Sequence, residues 1–568
     1  MTLSRFAVLA AAAVLLTAAK APEDRPIHYK LTPLAPGGFG NALRVEMRFR
    51  GDADGETALL LPDEWGGSTS LWRHITDLEI RGGKRLSGFY AAPIIHHRPG
   101  ATIKVRYDIV SAWPDDPGFE YEKARPLIRP RHFFAHGEGV FAAPHGRQEK
   151  DARFRWGKLP KGWTVASDLD HWEGKETTVA NLVNSVVIGG RDLQVVERRV
   201  GRSPLRVAVA GKWTFTPDQL ADMVEKVIVA ENDFWGEEPT PFLVAMAPLG
   251  DVPSGLSYTG TARTDAFSIA STSAFELKHA TRFIGHEYMH SWVPIALGNM
   301  PEDEASDFWF SEGFNDYLAS KVLLRSGLWT LEQWAADKNE TLLRYGISPA
   351  KTIAARDVGA RFWTDQPIQQ VSYDRGHLLA AMLDAEIIDK TAGEQSIDTV
   401  LRAQKKAAEG SSTHASELFR TTLLEKTGID AAALIERHAR AGEALKLPAG
   451  LLGPCGTVTS EKRRAFDRGY DAQATRLAEG VITGVDPQGA AYAAGLRNGM
   501  KLIRRESGTV GDATVPLAYR VEDGGVEKLI SFLPVGRTEH DVQQIVLNAG
   551  AEEETLACKA RLGGGKKG

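Results

Sequence analysis

The sequence is poor in cysteine, in net charge and in repeats. Only two of its 568 residues are cysteines and neither is near the amino terminus, which argues against a lipid anchor there. The formal net charge of -5 argues against nucleic acid or an anionic membrane surface as the main partner. The apolar run over residues 6–16 is too short to span a bilayer, and no internal repeat is visible.

The chain does have enough apolar content for several cores. At 43% hydrophobic residues, its length predicts about three or four domains. Residues 1–5 form a short positive start, the apolar run follows, and residues 17–19 are small, which together are typical of a secretory signal peptide. We expect cleavage after Ala19 and export to the periplasm or outside the cell, with no membrane anchor left; an uncleaved anchor is the alternative.

The two cysteines, Cys455 and Cys558, bracket the carboxy-terminal segment. In an oxidising compartment they can pair and close a loop of about 100 residues. Two unpaired thiols are the alternative.

The most informative motif is His286-Glu287-x-x-His290, in a segment that has helical character. This spacing puts both imidazoles on one helical face, where they can bind one Zn²⁺ ion. Glu287 would then lie beside the open coordination position as a general base. The motif predicts a zinc hydrolase that acts on peptides.

A third ligand follows 22 positions after the second histidine. Glu312 lies on what is predicted to be the next helix and can complete a site of two histidines and one carboxylate. Asp316, one helical turn further, suits an acceptor that holds the remaining N–H of a ligand imidazole. Solvated helix charges are the alternative interpretation of both residues.

These residues also carry a family resemblance. With the block from Ser311 to Tyr317, the run Tyr373-Asp374-Arg375-Gly376 and a terminal PDZ-like segment, the sequence from about residue 205 onward resembles the glycyl aminopeptidase family of gluzincin zinc metallopeptidases. The resemblance implies a thermolysin-like catalytic domain, and more distantly a likeness to the large zinc aminopeptidases. It also places Tyr373, at the start of an apolar helix, as the phenol that donates to the developing oxyanion. A core tyrosine is the alternative.

One element departs from the family pattern. The related enzymes have a glycine-rich edge strand with a glutamate that binds the free amino terminus of the substrate, and here Gly255 is followed by Ser257 where that glutamate would be. The following segment, with Gly260, can still pair with an extended substrate. Asp265 or Asp251 is a candidate replacement for the lost carboxylate, and an ordinary turn acid is the alternative.

Periodicity and the resemblance together predict an α+β multidomain fold. Alternating runs such as Leu43, Val45, Met47 and Phe49 predict a β-rich amino-terminal domain. The expected order is a signal peptide at 1–19, the β-rich domain at 20–204, the thermolysin-like zinc peptidase domain at 205–325, a helical domain at 326–450 and a PDZ-like domain at 455–560. The last would take a peptide carboxyl terminus as an added strand, or pack without a ligand.

The sequence therefore predicts an exported zinc metallopeptidase, with aminopeptidase activity on short peptides as the first choice. An endopeptidase is the alternative that Ser257 favours. A peptide-binding scaffold without catalysis is the alternative from another class.

Overall fold

The computed structural model describes residues 25–34, 41–85, 91–250, 256–508, 511–548, 550 and 552–563. They form two compact units. Unit 1 comprises Met1–Glu225 and Pro239–Ala280, and unit 2 comprises Lys226–Glu238 and Thr281–Gly568. The predicted signal peptide lies outside the described residues.

Unit 1 is built mainly of strands. Its elements, with two helices, are β1 (Ile27–Leu34), β2 (Ala42–Arg50), β3 (Glu56–Leu60), β4 (Ile75–Arg81), β5 (Gly83–Arg85), β6 (Ile94–His97), β7 (Thr102–Val110), β8 (Leu127–Ile128), β9 (His132–His136), β10 (Ala143–Pro144), β11 (Asp151–Trp156), β12 (Thr164–Ser167), β13 (Thr177–Thr178), α1 (Val179–Val183), β14 (Val186–Gly190), β15 (Gln194–Val200), β16 (Ser203–Val209), α2 (Pro217–Trp235, which continues into unit 2), β17 (Phe242–Pro248), β18 (Tyr258–Ala262) and β19 (Ala266–Ser271).

The largest sheet of unit 1 has six strands in the order β13-β11-β1-β2-β7-β4. Its inner face is apolar because successive side chains of a strand point to opposite faces. The predicted alternation in β2 is confirmed, since Leu43, Val45, Met47 and Phe49 are all buried in one core. The outer face of this sheet is charged and is considered below.

A second sheet of unit 1 has five strands in the order β15-β16-β17-β19-β18. Strands β16, β17 and β19 run parallel, and β17 is buried along nearly its whole length, as expected for a strand covered on both faces. The edge strand β18 pairs antiparallel with β19. It carries the segment that was predicted to pair with substrate.

Unit 2 is mainly helical up to residue 440. Its elements are α3 (Leu277–Met289, which begins in unit 1), a π-helical turn (Trp309–Phe314), α4 (Asn315–Arg325), α5 (Leu331–Ile347), α6 (Gln366–Lys390), α7 (Ile397–Ala408), α8 (Ala415–Thr427), α9 (Ala432–Leu434), a second π-helical turn (Ile435–Arg440), β20 (Gly456–Phe466), α10 (Ala472–Leu477), α11 (Ala490–Ala493), β21 (Lys501–Ser507), β22 (Leu517–Asp523), β23 (Val526–Phe532), β24 (Val535–Leu547) and α12 (Glu552–Gly563). The chain is thus a mixed α and β protein with a β-rich amino-terminal region and a helical region, as predicted.

The carboxy-terminal segment has a core of its own. Strands β20 and β24 form a long antiparallel ribbon, and β21, β22 and β23 form a three-stranded sheet. Leu496, Leu517 and Val521 are fully buried in the cluster behind that sheet. Cys455 and Cys558 form a disulfide, which fastens the start of this segment to α12. In the part of the chain that the structure describes, no helix has both the length and the apolar character needed to cross a membrane.

Candidate active site

The two histidines of the motif lie at the end of α3. The helix ends at Met289, so His290 is the first residue after it rather than inside it. A hydrogen bond to the backbone fixes the orientation of the His290 ring, because its Nδ1 donates to the carbonyl oxygen of Val293 at 2.8 Å. This leaves the Nε2 atoms of His290 and His286 facing each other at 3.2 Å.

Glu312 completes the cluster. Its Oε2 lies 3.3 Å from Nε2 of His286 and 3.4 Å from Nε2 of His290. Ligand atoms at zinc–ligand distances of roughly 2.0–2.1 Å in a tetrahedral arrangement lie about 3.3 Å apart. The three predicted ligands therefore have the mutual spacing that one zinc ion requires, and they are brought together from two elements of unit 2.

The charges around the three candidate ligands favour the binding of a cation between them. Burial disfavours the charged form of His286, but hydrogen bonds with Asp316 and Glu312 outweigh it and raise the pKa of this imidazole to about 10. Burial would raise the pKa of Glu312, but the nearby imidazoles hold it well below its usual range. The site thus combines two imidazoles with an ionised carboxylate, a donor set that suits a divalent metal ion.

Asp316 lies behind His286, as predicted. Its Oδ1 is 3.2 Å from Nδ1 of His286, and since a carboxylate only accepts, His286 must donate there and present Nε2 to the metal position. The other oxygen, Oδ2, accepts from Arg282 at 2.7 Å and from Nδ1 of His377 at 3.1 Å. Burial would raise the pKa of Asp316, but Arg282 and the two histidines keep it well below its usual range.

The chain of hydrogen bonds continues one residue further into unit 2. Nε2 of His377 accepts from Nζ of Lys338 at 2.6 Å, because the ammonium can only donate. Burial, with Lys338 second, lowers the pKa of His377 to about 4, so this imidazole stays neutral and keeps one tautomer. Arg282, His377 and Lys338 are not among the site residues that the motifs predict. The spacing of two of them gives a clue, because residues four positions apart lie on the same face of a helix. Arg282 precedes His286 by four positions, and His377 follows Tyr373 by four.

Glu312 is held by an unusually close contact between backbones. It lies in the π-helical turn rather than in the regular helix that was predicted. A Cβ atom added to Gly313 of this turn would lie 2.4 Å from Cα of Gly376 in α6, and one added to Gly376 would lie 1.7 Å from the carbonyl oxygen of Trp309. Only glycine allows this approach, which brings α6 against the metal ligand.

Tyr373 lies one turn before Gly376. The prediction that it opens a helix is wrong, because α6 begins at Gln366, where Asp365 caps it and Pro367 fits the first turn. The ring centroid of Tyr373 is 5.8 Å from that of His286. Burial first, and then the charges of Glu312 and Glu287, raise its pKa well above the usual value, so the phenol keeps its proton.

Glu287 follows His286 in α3 and is only partly buried. Its negative charge contributes to the raised pKa values of both His290 and Tyr373. On the opposite side of α3, Glu231 of α2 is fully buried, and neither carboxylate oxygen has a hydrogen-bond partner among the described residues. Burial raises the pKa of Glu231 well above its usual value, so this carboxyl is neutral.

The residues predicted to bind substrate lie in unit 1. Gly255 and Asp251 lie outside the described residues. Ser257 immediately precedes β18, and its N–H donates to Oγ1 of Thr272 at 3.0 Å. Gly260 lies within β18, opposite Ile269.

Asp265 lies in the turn at the other end of the β18–β19 hairpin, with Oδ2 3.3 Å from Nε2 of His171. The five residues of β18 (Tyr258–Ala262), which lie between Ser257 and the turn with Asp265, already span about 17 Å of strand. The structure therefore does not bring Asp265 to the position of Ser257.

Comparisons with known proteins give one family match and several solved structures of similar fold. Residues 279–378 match the model of the M61 glycyl aminopeptidase family. No curated protein matches the chain significantly. Among solved structures, an aminopeptidase N family protein from Idiomarina loihiensis is similar in fold, with a TM-score of 0.68 and 17% identity over 94% of this chain and 100% of that one. An M1 zinc metallopeptidase from Deinococcus radiodurans has a TM-score of 0.46 and 16% identity over 75% of this chain and 96% of that one.

The matched segment carries all three candidate ligands together with Glu287, Asp316 and Tyr373. A scaffold without catalysis is therefore set aside. The chain is a hydrolase of the zinc metallopeptidase class, of the aminopeptidase type.

Proposed function

We propose that the protein is an exported zinc peptidase that removes amino-terminal residues from short peptides. The observation that carries the proposal is the spacing of His286, His290 and Glu312, which matches a tetrahedral zinc site. Bound there, zinc would acidify a water molecule and polarise the peptide carbonyl.

The protein's own residues supply the proton chemistry. Glu287 accepts the proton of the attacking water and delivers it to the nitrogen of the leaving group. The protonated hydroxyl of Tyr373 donates to the oxygen that becomes negative. Asp316 fixes the tautomer of His286 through Nδ1, so that Nε2 stays directed at the metal position.

The zinc assignment and the role of Glu287 are tested together. Protein purified with added zinc should contain close to one zinc per chain, and Glu287→Gln should retain it while losing turnover by about 1000-fold or more, because the amide cannot accept a proton. Less than about 0.2 zinc per chain would refute the ligand set. Wild-type rates in the zinc-loaded variant would refute the mechanism.

The need for a free substrate amine is a separate point. An ammonium that enters a cleft must exchange water for a carboxylate, and Ser257 stands where the family resemblance places one. We therefore infer a weak or narrow preference for the free amine. Because Asp265 lies at the far end of the hairpin, Asp265→Asn should leave that preference unchanged.

An endopeptidase is the second candidate, and Ser257 is the observation that favours it. The comparison is one peptide with and without amino-terminal acetylation, with cleavage products identified by mass spectrometry. Faster cleavage of the free peptide at its first bond supports the aminopeptidase. Equal cleavage of both forms at internal bonds would establish the endopeptidase and remove the first proposal.

Export is also part of the proposal. The disulfide between Cys455 and Cys558 supports it, because such bonds persist mainly in oxidising compartments. Intact-mass analysis of protein taken from the periplasm or medium should find a chain that begins at or near Lys20. A full-length chain confined to the cytoplasm would contradict export.

We further propose that residues 455–560 form a PDZ-like module for peptide carboxyl termini. The separate core, the three-stranded sheet and the short helix α11 support this assignment. A labelled peptide with a free carboxyl terminus should bind more tightly than its amide. Equal binding of the two would leave a packing module without this ligand.

A further inference from the structure

The outer face of the six-stranded sheet in unit 1 carries a row of basic side chains. The strand register places five of them directly opposite one another across five neighbouring strands: Arg153 of β11, His28 of β1, Arg48 of β2, Lys104 of β7 and Arg81 of β4. All five are exposed. With strands about 4.8 Å apart, the row is about 19 Å long.

The next outward-facing row of the same sheet is different. It runs from Arg155 through Lys30, Glu46 and Arg106 to Glu79, and its opposite charges pair within the row. Lys30 contacts Glu46, and Arg106 contacts Glu79 at 2.5 Å. This second row combines charges of both signs, which makes the basic row a distinct feature of the same sheet.

The centre of the basic row lacks such compensation. Arg153 pairs with Glu176 at 2.9 Å, and Arg81 lies 3.6 Å from Glu79. For Arg48 and Lys104, however, no carboxylate of the described residues lies within ion-pair distance. The positive charges of the row also act on His28. Partial burial first, and then the neighbouring arginines, lower the pKa of this imidazole.

This arrangement costs stability, because like charges directly opposite each other on neighbouring strands repel. The row also lines a cleft of about 570 Å³, rather than a flat surface. Basic side chains outnumber acidic ones in the lining of this cleft, and such an excess raises the local concentration of anions. The arginine side chains offer forked donors that suit sulfate, phosphate and carboxylate groups.

We propose that this basic cleft binds an anionic polysaccharide, with its acidic groups along the row from Arg153 to Arg81. Glu46 and Glu79 line the same cleft and can accept hydrogen bonds from sugar hydroxyls. Such donors are a regular feature of a sugar chain and are missing from a polyphosphate.

Other polyanions fit the cleft less well. Single-stranded nucleic acid gains affinity from aromatic side chains that stack on bases. The two aromatic side chains among the described lining residues, Tyr29 and Phe154, are only 1% and 2% exposed. An extended acidic peptide spaces its same-side charges about 7 Å apart, which is wider than the spacing of about 4.8 Å between neighbouring strands of the row. A flat lipid surface does not enter a cleft.

The test uses a fluorescein-labelled heparin octasaccharide as the probe and the full-length protein. Wild type should bind it with an affinity that falls steeply as salt increases. The double variant Arg48→Glu with Lys104→Glu should bind on the order of 100-fold more weakly, because two charge-assisted contacts become repulsive. Peptidase activity on a short peptide should remain that of wild type, which shows that the variant is folded.

The matched control is Lys158→Glu with Lys161→Glu, two exposed lysines of unit 1 outside the cleft, with the same change in net charge. It should bind within about threefold of wild type. An equal loss of heparin affinity in both double variants would show that net charge alone explains the binding, and it would overturn the proposal. Tighter binding of single-stranded DNA, polyglutamate or anionic vesicles than of heparin would also overturn the proposal. Failure of neutral dextran to compete with the labelled heparin would support it.

Discussion

Charged side chains are exposed and partly unpaired on the outer face of the six-stranded sheet of unit 1, but buried and paired in the helical part of unit 2. In unit 2, Lys321 is fully buried, and its Nζ lies 2.6 Å from a carboxylate oxygen of both Asp384 and Asp398. In unit 1, Arg48 and Lys104 are exposed and face each other across neighbouring strands. A buried charge must be paired for the fold to be stable, while an exposed one can be left for a ligand.

The difference separates two kinds of polar site. In unit 2, a second paired network around Asp316 holds His286, a ligand of the metal position, in a fixed orientation. In unit 1, Arg48 and Lys104 at the centre of the basic row repel each other, and bound anions would relieve this repulsion. Ion pairing of buried side chains therefore indicates a site that needs fixed geometry. Exposed charges without ion pairs indicate a surface that can bind a ligand of opposite charge.

The largest expected effect is on the paired side. Lys321→Met should destabilise the protein by about 3–5 kcal/mol, because it leaves the buried carboxylate of Asp384 without its cation and that of Asp398 with Arg325 alone. Lys528→Met, which breaks the exposed pair with Asp523, should stay close to wild type. Urea denaturation followed by tryptophan fluorescence measures both, and similar losses in the two variants would remove the distinction between buried and exposed pairs.

Within the site, Tyr373→Phe should lower kcat by about 100-fold with little change in KM, since the lost hydroxyl acts on the developing charge. Steady-state kinetics on one peptide substrate provides the measurement. Tyr492→Phe, in the carboxy-terminal segment, serves as the control and should keep the wild-type kcat. A change confined to KM would place Tyr373 in substrate binding instead.

Removing the acceptor behind a ligand should have a smaller effect. Asp316→Asn should weaken zinc binding by about 10–100-fold, because His286 loses the carboxylate that orients it. Competition with a chromophoric chelator measures this affinity. Asp357→Asn, an exposed acid of unit 2, should bind zinc as wild type does, and an unchanged affinity in Asp316→Asn would contradict the orienting role.

The smallest effect is a gain on the unpaired side. Lys104→Thr should stabilise the protein by about 0.2–1 kcal/mol, since it removes a like charge opposite Arg48. The gain should shrink as salt rises, because screening already weakens the repulsion. Thermal unfolding at two salt concentrations, with Lys158→Thr as control, checks the direction, and a loss of stability would show that the row carries no strain.

The sequence predicted the parts of this molecule that local spacing determines. His286, Glu287 and His290 lie within five residues, so the helical period alone brings them together. The alternation in β2 likewise showed its buried face. By contrast, the contact of Lys338 with His377 depends on how α5 and α6 pack, and the π-helical turn at Glu312 depends on the contact between Gly313 and Gly376.

The basic row was beyond sequence reasoning for a similar reason. Alternation tells which side chains of a strand face outward, but not which residue of the next strand lies opposite. Arg48 and Lys104 are 56 positions apart in the chain, and only the pairing of β2 with β7 makes them neighbours. The overall charge of -5 gave no sign of a positive cleft.

The disulfide between Cys455 and Cys558 has a consequence for proteolysis of the carboxy-terminal segment. It closes a loop that contains the whole carboxy-terminal segment, and Arg325 of α4 donates to the carbonyl oxygen of Gly563 at 2.7 Å at the end of α12. A single proteolytic nick anywhere in this loop leaves both fragments covalently joined. The nicked molecule would migrate as two pieces only after reduction, with α12 still docked beside the helix that carries Asp316.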